Sequence, residues 1–267
     1  MLQKIKMRKQ VSTNKNPIIN KQGFMVFSKR NQMYIMVLIT ICTLFISFFN
    51  TETIKANVNT NKLVIVGDSR TNNMKKWITE TSIDTRFVAK VGQGYNWFVN
   101  TAIEETNNII SPGDTIIVWL GVNDYYKSNL GDNPWRLYAK KINELVKNEW
   151  KDCNVYVASV GYVDRNLMKA YYKKDNGSNV NQLNHGIRIN GIKAFNEKLR
   201  QSLDYSITWI DTSEVIGINA DDNGTDESIW VTRDNGMIDG LHYGVEKTQE
   251  IYEFFIDQTE LYPSTTN

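Results

Sequence analysis

Cysteine and histidine are scarce in this chain, two of each in 267 residues, and that scarcity excludes a good deal. Cys42 lies inside an apolar run and Cys153 far downstream, so no internal disulfide is expected. His185 and His242 stand far apart with no paired cysteines beside them, which leaves no good zinc set. The run containing Asn219, Asp221, Asn223 and Gly224 partly imitates a calcium loop, but Trp230 occupies the place of the bidentate glutamate. No metal is expected on those grounds. The first apolar strand is followed by GDSR and not by G-x-G-x-x-G, so a dinucleotide cofactor is not expected either. No internal repeat is present.

Acid is nearly absent from the first 56 residues. They hold nine Lys/Arg against Glu52 alone, a formal +8, so the rest of the chain carries −6 of the net +2. The basic balance belongs to a leader, and a nucleic-acid partner loses its main support. Residues 33–49 form an uncharged apolar run directly after Lys29 and Arg30. At about 1.5 Å per residue such a run just spans a thin bilayer core. The flanking charge predicts a cytoplasmic N-terminus and a body outside. A cleavable signal peptide fits nearly as well, particularly if Met25 is the start, with Ile54–Lys55–Ala56 as a tolerable cleavage site. Cys42 follows Ile41 where a lipoprotein signal needs a small residue, so lipidation is not expected. The expected organisation is a basic segment 1–32, an anchor or signal run 33–49, a linker 50–61 and one domain over 62–260. The membrane is a partner through the leader, and the body is either tethered to the cell membrane or secreted.

Beyond the linker, short β-branched runs alternate with longer amphipathic ones. Strands are expected at Leu63–Val66, Arg86–Ala89, Thr115–Leu120, Val155–Ser159 and Ile207–Ile210. Helices are expected at about 71–80, 96–110, 134–150, 188–203 and 245–257, the last with Val245, Thr248, Ile251, Phe254 and Phe255 on one face. Strands alternating with helices predict a parallel sheet covered on both faces, with ligands in the crevice at the strands' carboxyl ends. Two stretches break the rhythm. Residues 164–187 read as a polar insertion, a candidate lid, and 219–228 as an acidic loop.

Four points along this pattern carry chemistry. Ser69 in Gly67–Asp68–Ser69–Arg70 falls at the end of the first strand, where a helix should begin. There it can serve as a nucleophile, favoured by the helix dipole, or simply as an N-cap. A serine nucleophile needs a base, and His242 is the natural one, three residues after Asp239, which can fix its tautomer. His185 has no acid nearby and reads as a surface histidine. Asn123, in Gly121–Val122–Asn123–Asp124 after the third strand, can aim an amide at a developing oxyanion or merely shape a turn. Gly92–Gln93–Gly94 follows the second strand and can let a backbone N–H approach a substrate.

Taken together, G-D-S, Gly, G-x-N-D and D-x-x-H resemble the four signature blocks of the SGNH/GDSL hydrolases, over roughly residues 62–257. The stretches VGDSRTNNM, AKVGQGYNWF and IDGLHY resemble a bacterial extracellular branch. That resemblance implies a flavodoxin-like three-layer α/β/α sandwich with a five-stranded parallel sheet, no metal and no cofactor. It implies a catalytic set of Ser69, Asp239 and His242 and an oxyanion hole of Ser69, Gly94 and Asn123, with Gly92 the alternative to Gly94. Asp68 and Asp124 become loop supports. The implied activity is hydrolysis of short acyl esters, such as O-acetyl groups on carbohydrate. Acyl transfer to a surface glycan and a non-catalytic binding module are the other readings of the same scaffold. Where the family usually has leucine after the serine, this chain has Arg70, which is either solvated or a contact for an anionic or sugar substrate. Trp97 and Trp135 are candidates for a sugar platform, or else core residues.

Overall fold

The computed structural model describes residues 61–125, 133–176, 189–217 and 226–261. The leader, the 33–49 run, His185, residues 177–187 of the insertion and 219–225 of the acidic loop lie outside the described residues. Among the described residues, no helix is long and apolar enough to cross a membrane.

Five parallel strands build the sheet: β1 (Leu63–Gly67), β2 (Thr85–Ala89), β3 (Thr115–Trp119), β4 (Asn154–Ala158) and β5 (Thr208–Ile210), in the order β2-β1-β3-β4-β5. β1 and β3 are buried at every residue, as their unbroken β-branched runs require. Their register sets Gly67 beside Ala89 on one side and Trp119 on the other, so three strand ends finish level. The chain winds one way from β1 to β2 and the other way to β3. The switch point between β1 and β3 opens a crevice at their carboxyl ends.

Alternate residues feed two cores. Val64, Val66, Ile116 and Val118 face one side, against Trp97, Phe98, Tyr138, Ile142 and Phe195. These come from α2, which begins as Tyr95–Trp97, passes through a π-helical turn at Phe98–Ala102 and ends as Ile103–Asn107, from α3 (Pro134–Leu145) and from α5 (Ile189–Ser202). Leu63, Ile65, Ile117 and Trp119 face the other side, against α1 (Ser69–Trp77), the short α6 (Ser213–Ile216) and α7 (Val245–Thr259). Helices on both faces of a parallel sheet make the expected three-layer sandwich.

Two elements depart from the sequence reading. Residues 165–176, expected as polar insertion, form helix α4 (Arg165–Asn176). Asp164 starts it, its Oδ1 accepting the N–H groups of Asn166 and Leu167 at 2.8 and 2.9 Å. The lysines of this stretch mask a short apolar stripe in which Met168 is buried. The second is an antiparallel hairpin of β6 (Trp230–Thr232) and β7 (Ile238–Tyr243). An aromatic stack fastens it to the sheet: Trp230 lies 5.1 Å from Tyr243, and Tyr243 lies 6.4 Å from Trp119, nearly parallel. Such pairs contribute about 0.5–1.5 kcal/mol each beyond their buried area.

Candidate active site

Ser69 is the first residue of α1, immediately beyond β1, and is almost fully buried. Asp68 caps the helix, its Oδ1 accepting the Arg70 N–H at 3.0 Å. Across the crevice, β7 brings in Asp239 and His242. In the hairpin Trp230 pairs with Tyr243 and Thr232 with Ile238, so residues 239–242 bulge opposite Val231 alone. A bulge of this kind re-aims side chains. It depends on Gly240, which sits at φ +62° and whose Cβ would stand 2.7 Å from the Asp164 carbonyl oxygen.

The three side chains meet in line. His242 Nε2 lies 2.9 Å from Ser69 Oγ, and His242 Nδ1 lies 2.7 Å from Asp239 Oδ2. Asp239 Oδ1 accepts the main-chain N–H groups of Leu241 and His242, both at 2.9 Å. With its proton on Nδ1, the imidazole presents a bare Nε2 to the hydroxyl, the arrangement a general base needs. Burial alone would raise the Asp239 carboxyl, but its hydrogen bonds and the facing imidazole bring it down to about 2.

The loops after β2 and β3 are tied together beside this line. Asn123 Nδ2 donates to the Gln93 carbonyl at 2.8 Å, which occupies one of its two amide protons and leaves the other. Asp124 Oδ2 accepts the Tyr95 N–H at 2.7 Å and the Tyr138 hydroxyl at 2.5 Å. Burial and the Asp124 charge raise Tyr138 well above the ordinary phenol range, so it stays a donor. Gly94 lies so close to the Asp124 carboxylate that a Cβ would overlap it. Asp124 therefore supports the loop that carries Gly94.

No protein-family model matches the sequence, and no curated protein does. Solved structures do match. A Streptococcus pneumonia protein named for platelet activating factor is 14% identical, with a TM-score of 0.54 over 82% of this chain and 98% of that one. A GDSL-like lipase from Bacteroides thetaiotaomicron is 16% identical, with a TM-score of 0.50 over 75% of this chain and 88% of its own. A Slackia heliotrinireducens protein assigned to the SGNH hydrolases is 10% identical, with a TM-score of 0.50 over 74% and 98%. This chain has the SGNH/GDSL hydrolase fold.

On that fold the remaining candidates find different fates. Arg70 is neither solvated nor directed at the crevice. It is 4% exposed, and its Nε, Nη1 and Nη2 donate to the carbonyls of Leu241, Gly161 and Tyr162 at 3.0, 2.8 and 3.3 Å. Its guanidinium also lies 4.7 Å from the centre of the Tyr243 ring. A substrate role for Arg70 is thereby corrected to a structural one: it is a cation that buried carbonyls satisfy. Trp97 is likewise packed into the core at 8% exposure and offers no open ring face, which corrects its candidacy as a sugar platform. Trp135 is only partly buried, with the Arg136 and Lys198 cations over its ring. Among the described residues, no cluster of three or more His, Cys, Asp or Glu could hold a metal.

One residue beside the Ser69–His242–Asp239 line was missed from sequence. Arg233, beside the hairpin turn, places Nη2 against Asp239 Oδ2 and 2.7 Å from His242 Nδ1. A signal existed. Asn235–Gly236 between apolar runs is a strong hairpin mark, and a hairpin there folds Arg233 back toward Asp239.

Proposed function

We propose that this chain is a serine esterase in which Ser69 is the nucleophile, His242 the base and Asp239 its orienting acid. The observation that carries the reading is the continuous line from Ser69 Oγ through both ring nitrogens to Asp239, set at the switch point of the sheet. Ser69 Oγ attacks the ester carbonyl carbon while its proton passes to His242 Nε2, and the carbonyl electrons move onto oxygen. The backbone N–H groups of Ser69 and Gly94 and the second amide proton of Asn123 hold that oxyanion. His242 then returns the proton to the departing alcohol. Water repeats the cycle on the acyl-enzyme and releases the acid.

The substrate class is short acyl esters, in particular O-acetyl groups on carbohydrate. The charge asymmetry of residues 1–56 supports a body outside the membrane, either anchored by 33–49 or released by cleavage, with 62–260 as the catalytic domain.

The test is hydrolysis of p-nitrophenyl acetate by the full chain beside Ser69→Ala. The variant should lose roughly 10⁴-fold or more in kcat, and a fluorophosphonate should label the wild type alone. If the wild type neither turns over nor takes the probe, the catalytic reading fails and a binding module replaces it. Acetylated sugars with and without free sugar acceptors separate hydrolysis from acyl transfer.

A further inference from the structure

Arg233 creates a conflict inside the site that the esterase cycle must resolve. Asp239 is 1% exposed, and its charge already has four claimants: two main-chain N–H groups on Oδ1, and His242 Nδ1 together with Arg233 Nη2 on Oδ2. In the resting state the guanidinium is a counter-ion of this buried carboxylate. When His242 takes the Ser69 proton, an imidazolium forms against the same oxygen. Its Nδ1 then lies 2.7 Å from a second cation. Two like charges at that distance oppose each other. The new imidazolium is itself a sufficient counter-ion, so Arg233 becomes superfluous at Asp239 once the proton has moved.

The side chain is placed to leave. Its partner is buried, but Arg233 itself is 37% exposed at the mouth of the hairpin. Its Nε is buried without a hydrogen-bond partner among the described residues. The Tyr171 ring on α4 stands 6.0 Å from its guanidinium carbon, at the outer limit of a cation–π contact, so that face guides it only weakly. Among the described residues Asp239 is the carboxylate that holds the charge, and another carboxylate could replace it without changing the charge balance. The planar fork of a guanidinium suits such an exchange.

Resting on the esterase reading, we infer that Arg233 is a specificity-determining residue that selects esters bearing a carboxylate. The substrate's carboxylate draws the guanidinium off the Asp239–His242 pair and thereby frees the pair to accept the Ser69 proton. Neutral esters must react against the resting ion pair and are handled more slowly. No bond beyond those of ester hydrolysis is made or broken; one ion pair is exchanged for another.

The experiment compares two acetyl esters of one shape, p-carboxyphenyl acetate and p-carbamoylphenyl acetate, on the full chain and on Arg233→Met and Arg233→Gln. The wild type should favour the carboxylate. In both variants kcat/KM should rise for the neutral ester and fall for the charged one, shifting their ratio roughly ten-fold. Arg233→Gln keeps a donor for Asp239 without the charge, so it carries the test if Arg233→Met fails to fold. Equal losses on both esters would mean that Arg233 is merely structural. An unchanged ratio in an active enzyme would equally overturn the inference while leaving the esterase reading intact. Absence of turnover on both esters, with no fluorophosphonate labelling of Ser69, would instead remove the esterase reading itself.

Discussion

Asp68 and Asp239 are both buried carboxylates within a few ångströms of the Ser69–His242 contact, yet their environments push them in opposite directions. Burial dominates at Asp68, where the Arg70 charge and N–H only partly offset it, and the carboxyl rises from 3.8 to about 6. At Asp239 the donors prevail and the value falls to about 2. The consequences for stability have opposite signs. A carboxyl raised by folding binds its proton more tightly in the folded state, so its stabilisation is complete below about pH 4 and is lost as pH rises to 6. Asp68 should therefore cost the fold about 2 kcal/mol between pH 4 and pH 6. Asp68→Asn keeps a capping oxygen for the Arg70 N–H and cannot ionise. Urea titrations at pH 4 and pH 6 should show the wild type losing that stability relative to the variant. A constant difference between the two proteins would mean that Asp68 is ionised throughout. Asp239 loses its contribution only as pH falls from about 4 towards 2, a separate window.

At the scale of elements, the hairpin decides the chemistry. The β7 bulge sets Asp239 and His242 on one side only because Gly240 takes a left-handed turn against α4. Gly240→Ala adds positive-φ strain and a contact with the Asp164 carbonyl, and should cost about 1–3 kcal/mol of stability. The displaced His242 should lower kcat for p-nitrophenyl acetate more than it raises KM. An unaltered kcat would mean that the bulge tolerates movement. These elements were the hardest to read from sequence. The five sheet strands were legible within a residue or two: β1 and β3 are short apolar runs buried at every residue, and β2, β4 and β5, though partly exposed, keep short runs of β-branched and aromatic residues. The helix at 165–176 was not, because Arg165, Asn166, Lys169, Lys173, Lys174 and Asp175 make the stretch read as polar. β6 has three residues, too short for any period to register. Asn235–Gly236 marked the turn between its strands, but only the pairing of Trp230 with Tyr243 gave the turn a hairpin to close.

Over the whole molecule, Arg70 joins parts that the chain separates widely. From α1 its guanidinium reaches the carbonyl of Leu241 in β7 and those of Gly161 and Tyr162 just beyond β4. Arg70→Met removes the guanidinium donor from the Leu241 and Gly161 carbonyls in a buried place, while the Tyr162 carbonyl keeps the Tyr243 hydroxyl at 2.9 Å, and charged hydrogen bonds contribute about 1.5–3 kcal/mol each. The variant should lose at least about 3 kcal/mol, with a lower urea midpoint and an unchanged slope. A loss confined to activity would place Arg70 nearer the substrate than its burial allows. The sequence by itself determined the parallel sheet, its two covered faces and the nomination of Ser69, Asn123, Asp239 and His242. Strand periodicity and the rarity of histidine are local properties that survive without coordinates. The tertiary structure alone decided that Arg70 is buried, that Trp97 is core and that Arg233 shares Asp239 with His242. Each of those depends on which distant groups surround a side chain, and a charge or an indole has no fixed fate until its neighbours are known.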